Sequence, residues 1–435
     1  MKIKWINHAG FLLESGNVKL VTDPWMEGTA FDNGWKLLSP TLFSYNDFET
    51  VTHIWFSHEH PDHFSPANVK KIPAHFRANI TVLYQTTDDK KVVEFCRKAG
   101  FKQVIELPPS KWFVVNADFK VMNQNDRDGD SWLAINTEGV SILNLNDVVS
   151  YQSDVELSRL KRQIGAIDVL LTQFSYANWV GNRADTDFRK QCAKEKYTAA
   201  ANQIRVLKPS YVIPFASYVW FCHQENYYMN HEANKVGDFH NWLNAQNVTS
   251  VVLYPNGEWT IGQPYDSKNA IERYNTDYEK IENQPDLIPT QRVELDELKK
   301  LATKYVASIS TKNSFVIKQK LKNPALIYLT DLQKTVQLSL KGLNDAAQNI
   351  HNPDNGGTEG VDIALTSAAL AYCFKFEWGG ATLTVNGRFE KPKHGNFNNI
   401  ENYFYDANLN NMGKSYSLSR IAQNAGRRLR EKLNV

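Results

Sequence analysis

Ser57-His58-Glu59-His60-Pro61-Asp62-His63 follows an apolar, β-rich run from Val51 to Phe56. That run reads as a buried strand, and Pro61 prevents its continuation. His58 and His60 are alternate residues of an extended chain and point the same way. Asp62 and His63 come after the turn and reach a second position. The spacing His-x-His-x-Asp-His can therefore feed two metal ions from one short loop. The competing reading is a polar loop that is His-rich by accident. With only 11 His in 435 residues, so tight a gathering of ligand-type side chains argues for metal.

The rest of the composition bounds the class. A chain of 435 residues is long enough for two or three domains, each with its own core. A net charge of +2 points to neither nucleic acid nor a membrane surface as partner. No run approaches the roughly 18 apolar residues that a membrane span needs. The opening residues Met1 to His8 enter a strand pattern directly, which predicts no signal peptide. Cys96, Cys192, Cys222 and Cys373 are scattered, with no Cys-x-x-Cys. That predicts a reducing cytoplasm and argues against a cysteine-based zinc or iron–sulfur site. The chain is rich in aromatic residues, which suits binding of rings or sugars and equally suits large cores.

Outward from the motif, strands are expected at 2–6, 11–14, 18–22, 80–84 and 104–107, with helices from Pro66 and over 88–99. Strands follow at 119–123, 131–136, 140–145, 166–173, 211–215 and 249–254. Helices are expected at 153–164 (capped by Ser153), about 186–207 and 234–246. This alternation is α/β in type. Residues 1–262 form the expected metal-binding catalytic domain. The polar, Pro-containing stretch 263–292 reads as a linker, and 293–435 as a smaller C-terminal α/β domain. In that domain helices are expected at 294–308 and 361–373 and strands at 314–320, 325–330 and 335–341. Residues 374–389 read as a strand broken by glycines. Arg420, Arg427, Arg428, Arg430 and Lys432 follow a helical pattern and read as a solvated helix face.

The motif His58-x-His60-x-Asp62-His63 after a strand resembles the metallo-β-lactamase superfamily. Further residues resemble its CMP-N-acetylneuraminate hydroxylase branch: Asp23-Pro24-Trp25, Gly28, Ala30-Phe31, Gly34-Trp35, Leu37-Leu38, Ile142 to Asp147, the segment around Phe174, Pro214-Phe215-Ala216, Tyr218, His223 and Gly379-Gly380-Ala381. The resemblance implies a four-layer αββα sandwich with metals at the sheet ends. The C-terminal unit resembles a sterol-carrier-like domain. The hydroxylase has a Rieske iron–sulfur domain with Cys/His pairs that this sequence lacks, so electrons for an oxidation would come from another protein or from the substrate.

The site implied by the resemblance, with the register counted back from Asp147, has His58, His60 and Asp126 at the first metal. Asp62, His63 and His223 serve the second, and Asp147 bridges. Asp128 or Asp130 replaces Asp126 if the loop shifts. A carboxylate in place of the superfamily's third imidazole hardens the first metal toward iron or manganese. Asp62 also suits a base acting on a metal-bound water. Asp23 either orients a ligand by hydrogen bond or simply opens the turn before Pro24. His8, at a strand end, either lines the pocket or is a satisfied structural histidine, the reading it fits better; His53, inside the strand before the motif, reads as structural. Tyr176, Trp179, Tyr218 and Trp220 form a candidate aromatic wall. The expected activity is an iron-dependent oxygenase or hydroxylase acting on an activated sugar or similar small molecule, with two divalent metal ions and an external electron donor. The alternative is a zinc or manganese hydrolase of a phosphoester, lactone or amide.

Overall fold

The computed structural model describes residues 1–126, 129–148, 153–346 and 360–419. Two seven-stranded sheets dominate it. The first runs Glu258–Thr260, Lys2–Asn7, Gly10–Ser15, Val18–Thr22, His53–Phe56, Thr81–Gln85, Gln103–Leu107. The second runs Thr249–Ser250, Tyr211–Phe215, Val169–Gln173, Val140–Asn144, Ser131–Thr137, Phe119–Asn125, Trp112–Asn116. In each sheet an antiparallel meander passes into a parallel end: Val18–Thr22 to Gln103–Leu107 in the first, Val140–Asn144 to Thr249–Ser250 in the second.

Alternation along the strands builds the layers. Ile3, Trp5, Phe11, Leu13, Trp55 and Leu83 face Val121, Leu133, Ile135 and Leu143 of the other sheet in one shared core. The intervening residues Ile6, Leu12, Val21, Ile54, Phe56 and Val82 turn outward, against Val69 of helix Pro66–Lys71 and Val92, Val93 and Cys96 of helix Lys91–Lys98. On the far side of the second sheet lie helices Asp154–Ile164, Thr186–Leu207 and Val236–Ala245. The result is the expected helix–sheet–sheet–helix sandwich. Ser153 caps its helix through the Glu156 backbone N–H, and Gly165 ends it. The long helix stops at Lys208, left-handed at φ 54°, ahead of Pro209.

Several stretches differ from the sequence reading; the helix expected at 361–373 is strand Ile363–Leu365 followed by helix Ser367–Lys375, and the strand expected at 249–254 is only Thr249–Ser250. The polar segment 263–292 contains helix Lys268–Asn283, whose Ala270 and Tyr274 are buried in the first core. Its polarity reflects an amphipathic helix with one exposed face. Residues 314–320 end in a short helix, Ile317–Lys320, instead of a strand. Gly379–Asn386 is helical, and its glycines allow close approach: a Cβ on Gly380 would lie 2.3 Å from Phe404 Cβ. The second unit has a five-stranded sheet, Gly342–Asp345, Lys334–Ser339, Ala325–Leu329, Ile363–Leu365, Phe389–Glu390, packed on helices Leu295–Lys312, Ser367–Lys375 and Asn398–Asn411. The basic residues from Arg420 onward lie outside the described residues, as does Asp128.

Candidate metal centre

Lys2–Asn7, Val18–Thr22 and His53–Phe56 run in the same direction, so their carboxyl ends share one sheet edge. Those ends carry His8, Asp23 and the His58–His63 loop. The facing sheet brings Asp130, just before Ser131–Thr137, and Asp147, in the turn after Val140–Asn144. Carboxyl ends of parallel strands are where α/β proteins place ligands.

Ser57 and Asp23 fix the loop. Ser57 N and Oγ each donate to the Asp23 carboxylate at 2.8 Å. Asp23 Oδ2 also accepts from Asn146 Nδ2 at 2.8 Å and stands 3.0 Å from His63 Nδ1. Thus Asp23 orients a ring, and its turn-only reading is insufficient. His63 Nε2 faces Asp147 Oδ2 at 3.0 Å and Asp62 Oδ2 at 3.2 Å. His8 Nε2 lies 3.3 Å from the same Asp62 oxygen. His58 Nε2 is 2.8 Å from His60 Nδ1 and 3.4 Å from Asp130 Oδ1.

Three donor groups result, with the atoms of each within 4.8 Å of one another: His58, His60, Asp130; His8, Asp62, His63; and His58, His63, Asp147. Asp62 Oδ1 and His8 Nδ1 are buried with no hydrogen-bond partner. An uncompensated buried carboxylate oxygen is costly, and a cation beside it would remove that cost. The mixed imidazole and carboxylate set fits divalent ions of the zinc, iron or manganese kind.

The electrostatics of the site are tightly linked, and at His63 and Asp130 a cation would displace a proton. Burial, with the neighbouring His63 and His60 rings, holds His58 well below the ordinary histidine range, leaving it neutral. Burial pushes Asp130 up to about 6. Burial would raise Asp62 and Asp147, but the His63 charge outweighs it. Asp62 is held well below its ordinary value and Asp147 is brought down to about 2. For His63 the two carboxylates outweigh burial and raise it well above 6.5.

Asp126 and His223 stand apart from these groups. Asp126 closes the turn joining Phe119–Asn125 to Ser131–Thr137: its N–H donates to Asp130 O at 2.8 Å, and its Oδ1 accepts from Gly129 N at 3.1 Å. Counting back from Asp147 overshoots into this turn, whereas Asp130, immediately before Ser131–Thr137, faces the histidines. His223 sits 3.6 Å from Glu225 Oε1, beside the Arg388–Glu225 ion pair; burial and the Arg388 charge bring it down to about 4. His8 was legible as a strand-end residue. The shared direction of Lys2–Asn7, Val18–Thr22 and His53–Phe56 was the signal that placed it. Of the aromatic wall, Tyr218 is core against Trp5 and Phe174, and Trp179 stacks on Phe389 of the C-terminal unit. His53 Nδ1 is 2.8 Å from Thr52 Oγ1, away from the site.

Residues 2–216 match a family described as a beta-lactamase superfamily domain. A Rieske 2Fe-2S iron-sulfur protein of Mycolicibacterium smegmatis is 25% identical over 231 residues, covering 50% of this chain and 43% of the relative. Cytidine monophosphate-N-acetylneuraminic acid hydroxylase of Xenopus laevis is 26% identical over 249 residues, covering 55% of this chain and 41% of the relative. The chain thus spans less than half the length of these two relatives. Among solved structures, CmlA, a diiron beta-hydroxylase from Streptomyces venezuelae, aligns with TM-score 0.39 at 15% identity, over 59% of this chain and 53% of that one. An isothiocyanate hydrolase from Delia radicum gut bacteria aligns with TM-score 0.42 at 12% identity, over 60% and 98%. With the paired sheets and the strand-end donor groups already described, the match identifies residues 2–216 of this chain as a beta-lactamase superfamily domain with the metallo-β-lactamase fold.

Proposed function

We propose that this chain is a dinuclear metal-dependent oxygenase or hydroxylase acting on an activated sugar or similar small molecule. His58, His60 and Asp130 would hold one ion, and Asp62, His63 and His8 the other, with Asp147 between them. The observation that carries the reading is the Asp130 carboxylate beside two imidazoles, a harder donor set than three imidazoles. The likeness to cytidine monophosphate-N-acetylneuraminic acid hydroxylase supports it. When bound, two such ions supply Lewis acidity and, as iron, electrons for dioxygen chemistry.

The chain's own residues prepare the site. Ser57 Oγ, 2.8 Å from His58 Nδ1, turns His58 Nε2 toward Asp130. Asp23 sets the His63 ring, and Gln173 Nε2 fixes the Asp147 carboxylate by donating at 2.8 Å. Asp62 Oδ1 is left as the atom that takes a cation or a proton. The cysteines of the described residues are all free, so we also infer a reducing cytoplasmic setting and electrons delivered from outside these 435 residues.

Metal analysis of protein from its own host, with oxygen uptake measured in the presence of nucleotide sugars and a chemical reductant, tests the reading. About two irons per chain with substrate-dependent uptake is the expected result. Zinc with no oxygen uptake would sink it. The hydrolase alternative draws on His8, a fourth imidazole that suits zinc equally well.

A further inference from the structure

Behind Asp147 the second sheet opens into a cavity of about 660 Å³, within the range of small-molecule sites. One face of helix Thr186–Leu207 forms its wall, with Cys192, Lys196, Ala199 and Gln203 at helical spacing. Tyr176 and Asn146 line it from the strand ends. Asn146 is the residue that donates to Asp23, so cavity and metal centre share a wall.

Lys196 is the cation of this cavity left without a carboxylate partner. Its ammonium donates to Gln173 Oε1 at 2.7 Å, a neutral acceptor, and among the described residues it forms no ion pair. Arg205, the other cation on the wall, is paired with Asp154. Glu195 accepts from Gln191 Nε2 at 3.2 Å. The carboxylate acting most strongly on Lys196 is Asp147, on the far side of the Gln173 amide. A part-buried ammonium with unused donors, facing a cavity, lacks an anion.

We propose that this cavity receives the anionic part of the substrate, a phosphate or carboxylate group seated on Lys196 Nζ, with the reactive part of the same molecule beside Asp147. The position of the reactive part rests on the dinuclear reading; the anion seat does not. Gln173 joins the two, one amide bridging the ammonium and the Asp147 carboxylate.

Calorimetric titration of the protein as purified, with its metal content measured on the same batch, tests the proposal. Inorganic phosphate and malonate are the probes. At least one should bind, and Lys196→Met should weaken that binding about tenfold or more, the worth of a charge-assisted hydrogen bond. Lys196→Arg should keep most of it. Gln173→Glu, which gives Lys196 a counter-charge while nearly preserving volume, should weaken it as Lys196→Met does and guards against a misfolded methionine variant. Phosphate binding alone assigns a phosphate ester, and malonate binding alone a carboxylic acid. Binding by neither probe, or equal affinity in wild type and Lys196→Met, overturns the proposal, since an anion held only by metal would ignore Lys196. Metal-free protein that still binds anion through Lys196 would count against the dinuclear reading and leave the anion seat standing.

Discussion

Asp23 Oδ2 stands 3.0 Å from His63 Nδ1, and both side chains are wholly buried. That contact commits Nε2 of the ring to the side where Asp62 and Asp147 converge. Partners of this kind orient metal ligands and typically account for 10–100-fold in affinity. Asp23→Asn keeps the shape and removes the charge. The variant should lose metal affinity by about that factor, read by competition with a chromophoric chelator. Equal affinity would confine Asp23 to the turn before Pro24.

The two aspartates of the hairpin turn should separate cleanly. Asp130→Ala should lower metal content by about one ion per chain, because Asp130 groups with His58 and His60. Asp126→Ala should leave metal content unchanged and cost about 1 kcal/mol of stability through the lost Gly129 hydrogen bond. Metal analysis and denaturant melts of both variants decide; the reverse pattern would return the ligand role to Asp126.

Asp32 provides a pH signature at the contact between the two units. Its carboxylate meets Arg388 Nη1 at 2.7 Å, yet burial outweighs that cation and pushes it up to about 6. The folded protein then holds a proton there that the unfolded chain has released. Its contribution to stability is full below about pH 4, falls as pH rises to about 6, and stays low above. Asp32→Asn cannot titrate. Relative to wild type it should gain up to about 3 kcal/mol between those pH values. Parallel stability curves for the two proteins would refute this.

Gly380→Ala should destabilise the C-terminal unit by about 1–3 kcal/mol, because the new Cβ collides with the Phe404 side chain. A thermal melt reads the loss. An unchanged melting temperature would mean that helices Gly379–Asn386 and Asn398–Asn411 pack less tightly than they do here.

The sandwich was legible because its strands alternate or run wholly apolar, and because Ser153, Gly165 and Pro209 mark helix ends. The metal loop was legible from spacing alone. Asp130 was harder, since a hairpin turn of uncertain length separates it from the strand used for counting. His8 was legible as a strand-end residue but its role was not, because a lone histidine after a strand carries no spacing signal; only the direction of neighbouring strands places it. Lys268–Asn283 was missed because its buried face amounts to little beyond Ala270 and Tyr274 in a mostly polar stretch. Gly379 and Gly380 misled because glycine breaks strands but also lets helices touch.

The candidate metal donors range along the chain from His8 to Asp147, and two of the three donor groups draw on both sheets. A ribosome must therefore have released about a third of the chain before the group that contains Asp147 can close as it does in the finished protein. On the dinuclear reading, full loading then follows synthesis of both sheets, and a full complement of ions counts completed sandwiches rather than total polypeptide.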